Sequence, residues 1–184
     1  MAYYYFAATL PSFFWGDKPP LTVAEFIRQC EQYLSAQDVS TVTGVLGNGS
    51  GSHKNDVVER WAEFDRNFRN EMVHHRAKKY GLEADKYLRG ERSTDMHVVA
   101  LIQSASESDD PLTAEKAIDH AKWNLLDELV QGHFFDLDFL IVYGLKLQIA
   151  ERYADIMTDR GKKTFDEIIG AVTDRRPESD DARE

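Results

Sequence analysis

"HFFDLDFLIVYGLKLQIAERY", from His133 to Tyr153, decides how the rest of the chain is read. Its apolar middle admits three readings: a membrane anchor, the core helix of a soluble fold, or a surface for another protein. A helix that crosses a bilayer needs about 20 consecutive, mainly apolar residues. Here Asp138 interrupts the run near its start, the run ends at Leu145, and Lys146, Gln148, Glu151 and Arg152 follow. Leu137, Leu140, Ile141, Gly144, Leu145, Gln148, Ile149, Arg152 and Ile156 recur three and four residues apart, which describes the mostly apolar face of a long helix. Asp136 and Asp138 stand at its start, where carboxylates favour the positive end of the helix dipole. The stretch reads as a central core helix.

Helical signals continue on its N-terminal side. Pro111 suits the first turn of a helix whose apolar positions run from Leu112 to Leu129, and "QGH" links it to the core helix. Val57, Trp61, Phe64, Phe68, Met72 and His75 mark one stripe of a helix over 56–80, closed by Lys78, Lys79 and Gly81. Shorter helices are expected at 83–88 and 95–104. Thr22 with Glu25 makes a capping-box pattern for a helix to about Leu34, and Ser35 with Asp38 opens another to about Leu46. Residues 3–9 are aromatic and are left open between a short strand and a helix. "GNGSGSHKN", 47–55, reads as a flexible linker: no Lys-Ser or Lys-Thr pair follows its glycines, so it lacks the phosphate-binding pattern. A final short helix is expected within 159–172. The expected organisation is one all-α, multi-helix domain over 1–172 and a disordered acidic tail over 173–184.

A chain of 184 residues can bury a sizeable core without staples, and a formal charge of -10 argues against a nucleic-acid partner. The one cysteine, Cys30, allows neither an internal disulfide nor a cysteine-based zinc site, and reads as a small buried hydrophobe. No secretory signal pattern opens the chain, which points to the cytoplasm. Charge is uneven: residues 66–92 are rich in Lys and Arg and residues 103–138 in Asp and Glu. The expectation is that these two segments pack together with complementary faces, and the alternative is an acidic docking surface; were the chain a free-standing interaction protein, Arg69 and Arg76 would pair with acids such as Glu115 or Asp119. Tyr3, Tyr4, Tyr5, Phe6, Phe13, Phe14 and Trp15 are expected mostly to cover the core, with some left for a partner.

Catalytic signals are sparse. Glu71 and His74 form Glu-x-x-His on a helix, half of the pattern that holds a di-iron centre in a four-helix bundle, but no second copy exists. Neighbouring His74 and His75 diverge by about 100° on a helix and do not share a metal naturally. Glu71 and His74 are the weak metal candidates; no catalytic residue and no cofactor are expected. Asp136 and Asp138 are assigned to the helix start.

The order of "YYYFAATLPSF", "EFIRQCEQYLS", "WAEFDRNFRNEMVHHRAKKYG", "DPLTAEKAIDHAKWNLLDEL" and the opening stretch resembles an uncharacterised family of short bacterial proteins whose genes accompany V-type ATPase genes. That family is itself similar to a reduced C subunit of V-type ATPases, the eukaryotic d subunit. The resemblance rests on Trp61, Arg69, Asn70, Arg76, Pro111, Glu115, Phe135, Asp136, Tyr143 and Lys146. It implies a helical fold related to that of the V-type ATPase protein just named and no catalytic residues. It also implies contacts with other ATPase components of the central stalk or rotor ring, and a place at the membrane periphery without a span.

Overall fold

The computed structural model describes residues 2–48, 55–90, 95–108 and 110–156, with 163, 164 and 167. These residues form seven α-helices: α1 (Ala2–Thr9), α2 (Val23–Tyr33), α3 (Ala36–Asn48), α4 (Asp56–Tyr80), α5 (Met96–Ser106), α6 (Pro111–Leu129) and α7 (Leu137–Ile156). A 3₁₀ turn, Ala84–Tyr87, stands where a short helix is expected at 83–88. The all-α reading holds, and the open choice at 3–9 falls to helix, with no strand among the described residues. The middle of the 47–55 linker, the 159–172 helix and the 173–184 tail lie outside the described residues, save the helical backbone at 163, 164 and 167.

The ends of the helices follow local chemistry. Thr22 and Glu25 exchange side-chain and backbone hydrogen bonds in the expected capping box. Asn55 caps α4, Asp95 caps α5, and Asp110 accepts from both Leu112 N–H and Thr113 N–H before Pro111. Gly81 closes α4 at φ 66°, a left-handed conformation that side chains other than glycine's adopt at a cost.

Helix α7 is the axis of the molecule. Leu140 to Leu145, Leu147, Ile149 and Ala150 are all buried, so burial extends around the helix rather than along one face. It packs against α6, α3, α2 and α1. Its polar interruptions are hydrogen-bonded to the ends of its neighbours: Gln148 donates to the Leu46 carbonyl at the end of α3, and Glu151 accepts from Val23 N–H at the start of α2. No described helix is long and apolar enough to cross a membrane.

The aromatic N-terminus divides. Phe6 is fully buried, and the segment after α1 lies across α6 and α7 with Phe13 edge-on to Trp123 and Tyr143 and Trp15 against Trp123 and Tyr153. Tyr143 donates its hydroxyl to the Pro11 carbonyl at 2.8 Å, pinning this segment. Cys30 is fully buried, and burial pushes its thiol up to about 12, so it is an un-ionised core side chain, as expected.

A second, smaller core joins Phe68 of α4, Val98 and Ile102 of α5 and Ile118 of α6, with Phe64 packed against both cores. Helices α4 and α5 run side by side in the same direction: Phe64 lies with Val98 and Leu101, and His75 meets Ser106. The connection between them must therefore run back along α4. Asn70, 1% exposed, holds it there by donating to the Arg89 carbonyl and accepting from Arg89 N–H.

The basic and acidic segments do meet, through Phe68 against Ile118 and His75 against Ser106, but the expected ion pairs between them are corrected. Glu115 and Asp119 pair with Arg152 of α7, and Asp127 pairs with Lys146 of α7. Arg69 pairs with Asp65 one turn earlier on its own helix, and Arg76 is exposed. Glu115, Asp119 and Asp127 of α6 reach toward the central helix, because α7 is their antiparallel neighbour.

Candidate functional site

Three places carry chemistry or exposed binding surface. The first is the turn into α7. Asp136 accepts from Phe139 N–H with Oδ1 at 2.9 Å, the role of a helix cap expected for it, and its Oδ2 accepts from His133 Nδ1 at 2.7 Å. Asp138 Oδ2 lies 3.4 Å from the same imidazole nitrogen, while its other oxygen accepts from Asn55, the cap of α4. Each carboxylate is thus oriented by one oxygen and turns the other toward His133. The hydrogen bond to Asp136 holds His133 above the usual imidazole range, with Asp138 and Asp56 adding to the effect. Among the described residues this is the one group of three whose ligand atoms all approach within 4.8 Å.

The expected metal candidates do not gather in this way. Glu71 is buried and His74 half-buried on the wall of a cleft of about 620 Å³ between α4 and α5, and among the described residues no third ligand joins them. His75, on the same wall, shares a 3.1 Å hydrogen bond with Ser106. The cleft is lined further by Lys78 and Lys79 of α4 and by Val99, Ile102 and Gln103 of α5.

The third place is a patch of exposed rings. Tyr4 and Tyr5 on α1 are 62% and 61% exposed, and Phe134 and Phe135 before α7 are 67% and 47% exposed. Tyr4 lies against Phe135 at 4.4 Å between ring centroids, and Tyr5 against Tyr33 of α2 at 5.9 Å. Three separate segments therefore present aromatic side chains together.

The residues that carry the resemblance do not converge on one site. Trp61, Asn70, Pro111 and Tyr143 serve the fold, as core side chain, clamp, first-turn proline and pin. Glu115 and Lys146 are ion-pair partners across helices, and Lys146 also lies over the Trp123 ring at 5.1 Å. Phe135 and Asp136 are neighbours in chain but split in role, one in the aromatic patch and one in the His133 group. His133 falls outside the Glu-x-x-His pattern, and the His-x-x-Asp-x-Asp spacing from His133 to Asp138 is the sequence signal for its group.

Comparison with known proteins adds a family-model match over less than half of the chain and no activity. Residues 93–175 match the model of a family described as a protein of unknown function (DUF2764). The match takes in α5, α6 and α7, with the His133 group and Phe135 inside it. No curated protein and no solved structure matches the chain.

Proposed function

We propose that this chain is a non-enzymatic helical protein that works by contact with other proteins, as an accessory component of a V-type ATPase at the membrane periphery. The assembly comes from the resemblance of its segments to short bacterial proteins whose genes accompany those of the ATPase. The contact role rests on the patch of Tyr4, Tyr5, Tyr33 and Phe135, whose rings touch in pairs yet stay open to solvent. Exposed clusters of large apolar side chains mark interaction sites, and tyrosine rings contribute binding energy at low conformational cost. A kinship with the fold of the eukaryotic d subunit and its bacterial counterpart belongs to the same proposal.

Tyr4→Ser combined with Phe135→Ser tests it, because both side chains are largely exposed and neither belongs to the core. Tagged protein recovered gently from host membranes is expected to bring ATPase components at fixed stoichiometry. The double variant is expected to lose them, with about 2 kcal/mol per ring, roughly 30-fold in affinity for each, and an unchanged melting curve. Recovery of a lone soluble chain, or equal recovery by the variant, defeats the reading.

A second reading, a divalent-metal site, is favoured by one observation: the convergence of His133, Asp136 and Asp138. One imidazole and two carboxylates suit zinc or manganese, although the positive end of α7 opposes a cation there. This reading replaces Glu71 and His74 as the ligands. Calorimetric titration with zinc is expected to show one site per chain that His133→Ala removes and His74→Ala keeps. Equal binding by the His133 variant would remove the metal reading.

A further inference from the structure

The smaller core is open on one side. Met72 of α4, Ile102 and Ala105 of α5, and Pro111, Ala114 and Ile118 of α6 line a cleft of about 440 Å³. Met72, Ile102, Ala105 and Ile118 belong to the smaller core, so this cleft is that core's uncovered edge. Its α6 wall stands beside the end of α7. Glu115, which lines the cleft, bonds Arg152, and Lys116 lies over the Tyr153 ring at 5.8 Å. Helix α7 stops at Ile156, one turn further on. The aromatic patch, by contrast, lies at the other end of α7, about 30 Å away along a helix of 20 residues.

The chain beyond α7 carries a stripe suited to this edge. Phe165, Ile168, Ile169 and Val172 recur three and four residues apart, which is one apolar face of a helix that needs a surface to cover it. Lys163, Thr164 and Glu167 are helical and exposed, and all three fall off that stripe. Nine residues lead from Ile156 to Phe165 and span up to about 30 Å, enough to reach a cleft that begins beside Arg152. The family match over 93–175 also runs past α7 through this segment, joining it in one unit with α5, α6 and α7. We propose that residues 163–172 of this chain dock as a helix in the cleft, with Phe165, Ile168, Ile169 and Val172 against Met72, Ala105, Ala114 and Ile118, and so complete the smaller core. A helix laid into the groove between others anchors through side chains at that spacing. Tethering selects this occupant: a segment held by a short linker is present at an effective concentration of about a millimolar, ahead of a free partner. The inference does not depend on the ATPase assembly.

Hydrogen exchange of the full chain, followed by mass spectrometry, tests this docking. Amides of 165–172 are expected to exchange about tenfold or more slowly than those of an unstructured chain. Ala105→Glu, on the cleft wall, is expected to release them while the amides of α7 stay protected; Ala114→Glu takes its place if that variant does not fold. Phe165→Ser with Ile169→Ser is expected to release the same amides and to speed exchange where α5 and α6 border the cleft. Rapid exchange of 165–172 in the unmodified chain overturns the proposal. Protection that survives both cleft variants overturns it as well, since the segment then lies elsewhere. Protection that rises with protein concentration also overturns it, because a second copy then supplies the helix.

Discussion

Arg152→Met is expected to destabilise the protein by about 2–3 kcal/mol, measured by urea unfolding followed by circular dichroism. Asp119 is the reason. Its side chain is 3% exposed and bonds Arg152, which also reaches Glu115 at 3.1 Å. Removing one partner of a buried pair leaves an uncompensated charge, which costs about 3–5 kcal/mol in well-enclosed cases. The lower figure allows for the guanidinium, whose side chain is 46% exposed and so screened by water. Lys122 also limits the loss: it lies near Asp119 with its ammonium over the Phe68 ring at 5.2 Å, and burial pushes its pKa down against the pull of Asp119. Asp119→Asn in the Arg152→Met background is expected to recover much of the stability, because the stranded charge is gone. A loss below about 0.5 kcal/mol for Arg152→Met, the range of ordinary surface changes, would show that the pair does not hold α6 on α7.

Gly144→Ala is expected to destabilise by about 1–2 kcal/mol, against the local rule for helices. Within an exposed helix, alanine is preferred to glycine by about 1 kcal/mol. At position 144 an added Cβ would stand 2.8 Å from Phe26 Cε1 and 3.2 Å from both terminal carbons of Leu46. Phe26 is fully buried, with Phe6 stacked at 6.1 Å and Tyr143 at 5.4 Å, so its ring has nowhere to turn. Overpacking of this kind costs about 1–3 kcal/mol. The cause can be isolated. Phe26→Ala alone opens a cavity and is expected to cost about 3–5 kcal/mol, but adding Gly144→Ala to it is expected to be neutral or stabilising, since the clashing ring is absent. A double-mutant cycle that shows simple additivity would place the strain elsewhere.

The two α7 predictions show where reading the sequence stops. Helix periodicity, Pro111, the Thr22 capping box and Gly81 are local, and each lies where its chemistry places it, because a cap or a first-turn proline acts within one helical turn. The three-and-four spacing of the opening stretch likewise identified the core helix. Yet periodicity reports one face, and α7 is buried nearly all round because four helices surround it. The partners of Gln148 and Glu151 lie 102 and 128 residues away, so no local pattern could assign them.

The candidate sites divide in the same manner. His133, Asp136 and Asp138 are close in sequence, but the second oxygen of Asp138 is fixed by Asn55, 83 residues away. Aromatic composition announced that rings would crowd the N-terminus; only the path of the segment after α1 decided that Phe13 and Trp15 are covered while Tyr4, Tyr5 and Phe14 remain outside. Charge counts identified a basic and an acidic segment but not their partners, since electrostatic matching follows which helices become neighbours. By itself the sequence determined an all-α chain, its helix ends and its central helix, because those depend on interactions within a few turns. The tertiary structure alone decided that Asp119 meets Arg152, that a side chain at position 144 would press on Phe26 and Leu46, and that α4 and α5 lie parallel with a groove between them. These follow from contacts that form only when distant segments pack.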